Sequence, residues 1–182
     1  MKKIAIISSS VRDGRLSHRA ALYIQKYITD NSLAETIMLD LKEYDFPIFC
    51  ERLQYQTDPS AKLLDFTGKF NASDGLVIVT PVYNGSFPAS IKNVIDLYYK
   101  EWYHKPVLIA SVTDKSTPGI ATIQQLQTIL LKLGALVTPQ LYTILNAGTS
   151  FDETGIPSQP EAQQKFIAPV MKEFMWLVEK SK

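Results

Sequence analysis

The chain has 182 residues, a length that favours a single domain over residues 1–182 rather than two. Lysine and arginine number 19 against 18 aspartates and glutamates, and the net charge of +1 gives no sign of a nucleic-acid or anionic-membrane partner. The single cysteine, Cys50, excludes an intrachain disulfide and a cysteine cluster for a metal. The histidines, His18 and His104, lack metal-ligand spacing, so we expect no metal. The lone thiol and the absence of an apolar run of about 20 residues favour the cytoplasm.

Five short apolar runs, rich in β-branched residues, predict five strands. Because each run is apolar throughout rather than alternating, we expect these strands to be covered on both faces of a sheet. The runs occupy residues 4–7, 36–39, 76–80, 107–112 and 141–145.

Segments with helical spacing separate and follow these runs, at residues 16–28, 61–70, 89–100, 120–133 and 161–179. Strict alternation of buried strands with amphipathic helices requires a parallel sheet with right-handed crossovers and helices on both faces. The sequence therefore predicts an α/β fold with three layers: a doubly wound, five-stranded parallel sheet of flavodoxin-like strand order 2-1-3-4-5.

In such a sheet, ligands bind outside the carboxyl ends of the strands, where the strand order reverses. This rule directs attention to a first loop (Ser8–Ser17), a second loop (Thr80–Pro88) and a third loop (Ser111–Gly119). The first loop places four hydroxyls, two arginines and one glycine before a helix, a composition suited to a terminal phosphate. Composition alone fits an N-capping serine with surface arginines about equally well.

The second loop carries turn residues together with an aromatic ring. Asn84 and Gly85 suit left-handed backbone, Pro88 suits the first turn of a helix, and Tyr83 could form a wall against a planar ring system. The third loop by itself indicates only a polar surface turn. No nucleophile elbow or zinc-protease motif is present, and the acid pairs Asp13/Asp40 and Asp96/Glu101 are expected to be solvated. A bound cofactor would remove the need for catalytic side chains.

Two of these loops resemble the motifs of the NADPH-dependent FMN reductase family. Residues 9–17, SSVRDGRLS, resemble its phosphate loop G-S-x-R-x-x-S, and residues 80–86, TPVYNGS, resemble its motif T-P-E-Y-N-G-S. The similarity continues through Pro88, Lys92-Asn93 and Ile95-Asp96, and includes Asp40-Leu41 after the second strand. It covers roughly residues 3–139.

The resemblance implies an enzyme in which NADPH or NADH reduces noncovalently bound FMN. The flavin then passes electrons to a small acceptor: free flavin, a quinone, an azo compound or a metal ion. It also implies a homodimer or homotetramer. The cofactor-binding residues that it implies are Ser9, Ser10, Arg12, Arg15 and Ser17 in the first loop, Pro81, Val82, Tyr83, Asn84, Gly85 and Ser86 in the second, and Ser111, Thr113, Asp114 and Lys115 in the third.

The chain departs from the family pattern at three places. Ser9 replaces a glycine, Val82 replaces a glutamate, and the third loop keeps only Gly119 of a glycine-rich run. Two alternatives remain. The first is an FMN-binding electron carrier without its own substrate, which a strongly acidic surface would favour and the near-neutral composition argues against. The second is a flavin-free interaction module, which the departures at Val82 and in residues 111–119 would allow.

An aromatic cluster follows the third predicted helix and comprises Tyr98, Tyr99, Trp102 and Tyr103. It predicts a dimer face or a wall of the acceptor pocket, with a place in the core as the alternative for Tyr98 and Tyr99.

Overall fold

The computed structural model describes residues 1–181, which form a parallel sheet between two layers of helices. The strand order β2-β1-β3-β4-β5 confirms the predicted order, and every strand pair is parallel. The strands are β1 (Lys3–Ser8), β2 (Glu35–Asp40), β3 (Gly75–Pro81), β4 (Pro106–Val112), β5 (Leu136–Val137) and β6 (Tyr142–Ile144).

Two short strands share the fifth position of the sheet, where the sequence predicted one. The segment β5 pairs with the start of β4, and β6 pairs with its end. Pro139 lies between the two and has no N–H group to donate to a continuous ladder. The prediction for residues 141–145 therefore identified β6 and missed β5, which is too short to show a pattern.

The five predicted helices are all present. The helices are α1 (Ser17–Asp30), α2 (Leu41–Tyr44), α3 (Ala61–Ala72), α4 (Ala89–Leu97), α5 (Ile120–Lys132), α6 (Ala147–Ser150) and α7 (Pro160–Lys180), with 3-10 turns at Leu53–Tyr55 and Lys100–Trp102. Helix α4 ends three residues before its predicted end, and the one-turn helices α2 and α6 are too short for periodicity to reveal. Within residues 1–181, no helix combines the length and the apolar character that crossing a membrane requires.

Each face of the sheet is covered by its own hydrophobic core. Ile4 and Ile6 of β1 point to the side that α1 and α7 cover, whereas Ala5 and Ile7 point to the side of α3, α4 and α5. All four side chains have no solvent exposure. Burial on both faces explains why the strand sequences are apolar throughout, and it confirms the three-layer prediction.

The aromatic cluster after α4 is divided between the core and the surface. Tyr98 and Trp102 are buried beside Phe70, so the prediction that Trp102 lies on an interaction face was wrong. Tyr99 and Tyr103 are exposed. The cluster precedes β4 and therefore lies at the amino end of the sheet, away from the loops at the carboxyl ends.

Candidate functional site

The three predicted loops meet at the carboxyl end of the sheet and enclose a cleft of about 640 Å³. This volume lies within the usual range of small-molecule sites. Of the residues predicted to bind a cofactor, the structure places eleven on its lining: Ser10, Arg12, Arg15, Ser17, Pro81, Val82, Tyr83, Gly85, Thr113, Asp114 and Lys115. The remaining four, Ser9, Asn84, Ser86 and Ser111, are not among the lining residues.

The first loop presents free hydrogen-bond donors at the start of α1. The main-chain N–H groups of residues 13–16 have no partner within the described chain, and no side chain caps the helix at Leu16. Gly14 adopts φ +63°, a left-handed conformation that glycine allows without strain. The hydroxyl of Ser17 is buried and likewise has no partner among residues 1–181. Free N–H groups at the positive end of a helix dipole attract an anion.

The two arginines of the first loop have different surroundings. Arg12 is exposed, and its guanidinium lies 5.5 Å from the centre of the Tyr83 ring without an ion pair in residues 1–181. Arg15 instead makes a two-pronged ion pair with Asp40 and donates from Nη1 to the carbonyl oxygen of Ser10 at 2.8 Å. Arg12 is therefore free to meet a ligand, whereas Arg15 is already paired.

Asp40 is buried, which makes the expectation that it is a solvated charge wrong. Its side chain is only 4% exposed, and it ends β2 next to Ser8, its register partner on β1. Its Oδ1 atom also accepts the main-chain N–H of Lys42 at 3.0 Å. The position of this aspartate at the end of a predicted strand is the sequence signal that could have identified it.

His18 lies beneath the first loop, with Nδ1 3.0 Å from the Ser8 hydroxyl and 3.6 Å from the Asp40 carboxylate. Burial and the neighbouring Arg15 lower the pKa of His18 below its usual 6.5, although Asp40 opposes the shift. The folded protein therefore holds this imidazole in its neutral form more strongly than the unfolded chain does.

We expect this difference to make stability depend on pH on the acid side. Because the pKa of His18 is depressed in the folded state, the unfolded chain binds more protons than the folded protein just below pH 6.5. The free energy of unfolding therefore carries no penalty from His18 above that pH. It falls as the pH drops through the folded-state pKa. In the variant His18→Gln, the free energy of unfolding should fall less steeply as the pH is lowered. Denaturant unfolding between pH 5 and 7 measures it, and equal slopes for the two proteins would contradict the role of His18.

A tight turn at the tip of the second loop fixes its shape. Tyr83 and Ser86 exchange two main-chain hydrogen bonds of 2.8 and 3.0 Å, while Asn84 and Gly85 both have positive φ angles of 52° and 80°. This confirms the left-handed backbone expected of both residues. Gln125 of α5 was not among the predicted site residues, but it braces the turn because it contacts the Ser86 hydroxyl at 2.6 Å and the Gly85 carbonyl at 3.3 Å.

Side-chain contacts join the first two loops. The Tyr83 hydroxyl lies 2.6 Å from the hydroxyl of Ser10. Ser9 is buried and donates from its hydroxyl to the carbonyl of Val79 at 2.9 Å, while the Ser90 hydroxyl donates to the carbonyl of Ser9. Ser9 thus anchors the loop to β3 rather than lining the cleft.

The third loop borders the opposite side of the cleft. Asp114 accepts the main-chain N–H of Gly148 at 3.0 Å, and the Thr113 hydroxyl donates to the carbonyl of Lys115 at 2.8 Å. The Lys115 side chain is exposed, with no ion pair or hydrogen bond within residues 1–181. Thr122, which sequence reasoning also missed, lines the cleft, and its hydroxyl is buried without a partner in the same range.

Gly119 permits close packing between the second and third loops. A Cβ atom at this position would lie 2.5 Å from Val82 and 2.8 Å from the Ser111 hydroxyl. The valine that departs from the family pattern therefore packs against the one glycine that the third loop retains.

These features fit FMN without requiring a metal. The phosphate needs free donors and a cation, which the start of α1, Ser17 and Arg12 offer, and a ring system needs an open cleft with polar edges. Within residues 1–181, no group of three or more histidine, cysteine, aspartate or glutamate side chains is arranged to hold a metal ion.

The fold and cleft define a doubly wound α/β protein with a loop of free N–H donors at the switch point of its sheet. A family model described as NADPH-dependent FMN reductase matches residues 2–150, and the chain belongs to that family.

Curated relatives agree with this assignment. The chain is 30% identical over 122 residues to the NAD(P)H-dependent FMN reductase LOT6 of Saccharomyces cerevisiae, covering 60% of this chain and 64% of that protein. It is 32% identical over 115 residues to a Schizosaccharomyces pombe enzyme of the same name, covering 60% of this chain and 56% of the relative. The chain thus spans less than two thirds of the length of these two relatives. It is 25% identical over 159 residues to a Pseudomonas putida quinone reductase, with 84% and 82% coverage.

Solved structures support the fold. The flavoenzyme NAD(P)H:(acceptor) oxidoreductase FerB of Paracoccus denitrificans aligns over 100% of this chain and 99% of its own, with a TM-score of 0.82 and 23% identity.

Proposed function

We propose that the protein is an FMN-dependent NAD(P)H oxidoreductase. One observation carries the proposal: the first loop offers free N–H groups and an unpaired arginine at the mouth of a cleft that two further loops complete. When bound, FMN supplies the redox chemistry, taking a hydride from a nicotinamide and passing electrons to an acceptor. The family to which the chain belongs supports the same activity.

Each loop has a separate part in this proposal. Ser10, Arg12 and Ser17 bind the phosphate, with Ser9 holding the main chain in place. In the second loop, Pro81, Val82, Tyr83 and Gly85 line the ring system, and the turn that Asn84 and Ser86 complete sets its edge. In the third loop, Thr113, Asp114 and Lys115 border the opposite edge, and Ser111 supports this loop from its position next to Gly119.

We propose that the side chains of the cleft bind and shape the site rather than transfer protons. Tyr83 contacts Ser10, and Asp114 contacts the main chain of Gly148. Both groups therefore hold loops together. We expect the first loop to bind the cofactor, the Tyr83–Ser86 turn to orient it, and the third loop to limit access of water.

The visible spectrum of the purified protein, before and after addition of FMN, tests the cofactor. Anaerobic addition of NADH or NADPH then tests the reaction. Bleaching of the flavin absorbance by either nucleotide supports the oxidoreductase. A yellow protein inert to both nucleotides would identify an electron carrier, and a colourless protein that does not take up FMN would identify a flavin-free module.

We propose a small molecule as the electron acceptor. Relatives are named quinone reductase in Pseudomonas putida and NADPH azoreductase in a Bacillus species, and these names support a quinone or an azo compound beside free flavin or a metal ion. Steady-state rates with each acceptor, using both NADH and NADPH, would rank these possibilities.

We also propose that the protein acts as a homodimer or homotetramer in the cytoplasm. Val11 and Ile48 are exposed apolar side chains that line a second cavity, and they support an additional covering chain. The single cysteine supports a reducing compartment. Light scattering measures the assembly, and a monomer at micromolar concentration would contradict it.

A further inference from the structure

We propose that Arg15 is a positioning residue rather than a phosphate ligand: its ion pair with buried Asp40 sets the shape of the first loop and leaves Arg12 as the cation that meets the ligand. This inference rests on the proposed function, because the ligand concerned is the phosphate of FMN.

The charge of Arg15 is already compensated. Both terminal nitrogens of its guanidinium contact the two carboxylate oxygens of Asp40, and the side chains are only 12% and 4% exposed. A forked pair of this kind is among the strongest hydrogen-bonded contacts that side chains make. Moving Arg15 to a phosphate would leave a buried carboxylate without its cation, a change that is strongly unfavourable.

The pair also connects three points of the chain. Arg15 lies near the end of the first loop, and its donation to the carbonyl of Ser10 ties that end to the start of the loop. Asp40 ends β2, where it is aligned with Ser8 of β1. The loop is therefore closed upon itself and attached to the neighbouring strand, which keeps the N–H groups of residues 13–16 free of internal partners.

Arg12 shows the opposite arrangement. It is exposed, rests near the face of the Tyr83 ring and has no carboxylate partner within residues 1–181. Tyr83 is itself held by the Ser10 hydroxyl, so the ring that supports Arg12 is fixed to the same loop. Arg12 and the N–H groups at the start of α1 thus attract the phosphate. Arg15 fixes the shape of the first loop, which keeps these N–H groups available.

The test compares FMN with riboflavin, which lacks the phosphate, in five variants: Arg12→Ala, Arg15→Ala, Arg15→Lys, Asp40→Asn and Arg15→Ala/Asp40→Asn. Dissociation constants follow from quenching of flavin fluorescence. If Arg15 positions the loop, Asp40→Asn should weaken FMN binding about tenfold and leave riboflavin binding unchanged. The double variant should be no weaker than Arg15→Ala, because both changes remove one interaction. The variant Arg15→Lys should bind FMN no more tightly than Arg15→Ala does, since an ammonium cannot make the forked contact with Asp40.

A ligand role for Arg15 predicts a different result. Asp40→Asn would then release the arginine for the phosphate and leave FMN binding equal or tighter, which would overturn the proposal. Equal losses for FMN and riboflavin would also overturn it, because they would indicate general destabilisation.

A measurement without ligand separates this inference from the proposed function. NMR order parameters for the main chain of residues 9–16 should fall from about 0.85 to below about 0.6 in Arg15→Ala and Asp40→Asn, and stay high in Arg12→Ala. Unchanged order in the first two variants would overturn the proposal. A wild-type protein that binds no flavin would refute the proposed function and leave this result as the decisive one for Arg15.

Discussion

Replacing Arg12 with alanine is expected to weaken FMN binding about 10- to 100-fold. A hydrogen bond to a charged group contributes about 1.5–3 kcal/mol, and each 1.4 kcal/mol corresponds to about a factor of ten in the dissociation constant. Arg12 is the arginine of the first loop that has no carboxylate partner within residues 1–181, so no internal pair compensates for its loss. Titration of the flavin-free protein with FMN measures the change.

Arg52→Ala is a matched control for this variant. The guanidinium of Arg52 lies 5.0 Å from the centre of the Tyr99 ring, much as that of Arg12 lies over Tyr83, but Arg52 does not line the cleft. It should leave FMN binding unchanged. Riboflavin should bind wild type and Arg12→Ala alike. An unchanged FMN dissociation constant in Arg12→Ala would refute the phosphate assignment.

Gly155→Ala is expected to lower the free energy of unfolding by about 3 kcal/mol, which for a chain of this length corresponds to a fall in Tm of about 6–12 °C. Gly155 has φ +82°, and a Cβ there would lie 2.7 Å from the main-chain nitrogen of Tyr23 and 2.9 Å from the carbonyl oxygen of Arg19. Both atoms belong to the main chain of α1 and cannot move aside independently. The strain of a left-handed backbone and the overlap of the Cβ atom with α1 therefore both lower the stability of this variant.

Gly14→Ala is the control for the stability change. Gly14 also has a positive φ, +63°, but a Cβ there would meet no atom within 4 Å. Only the left-handed strain remains, and the cost should be about 1 kcal/mol. Thermal and denaturant unfolding measure both variants. Equal losses would show that overlap with α1 contributes nothing at Gly155.

This second prediction connects stability with the site. The turn that contains Gly155 is held by Asp152, whose carboxylate accepts the N–H groups of Thr154 and Ile156 at 2.9 and 2.8 Å. It packs against α1, the helix that begins directly after the free donors of the first loop. Displacement of this turn should therefore also reduce FMN affinity, although the turn lies outside residues 2–150 matched by the family model.

Much of the fold could be predicted because its signals are local. Continuous apolar runs identified the strands covered on both faces, and helical spacing located the five long helices to within a few residues. Short elements were missed for the same reason: β5 has two residues and α2 has four, too few for a period to appear. The predicted strand order placed the three loops together correctly, since a parallel sheet brings the carboxyl ends of its strands to one edge.

The residue pattern predicted the sheet order and the positions of the three loops, and the family resemblance added FMN as the expected ligand. The folded structure was needed to show which arginine is free, because Asp40 reaches Arg15 through the alignment of β2 with β1 and not through any local pattern. It likewise decided that Trp102 is buried and that Gln125 braces the second loop. The hydrophobic pattern of a segment indicates which faces of a helix or strand are buried. The pairing of individual side chains depends instead on contacts between residues that are far apart in the chain.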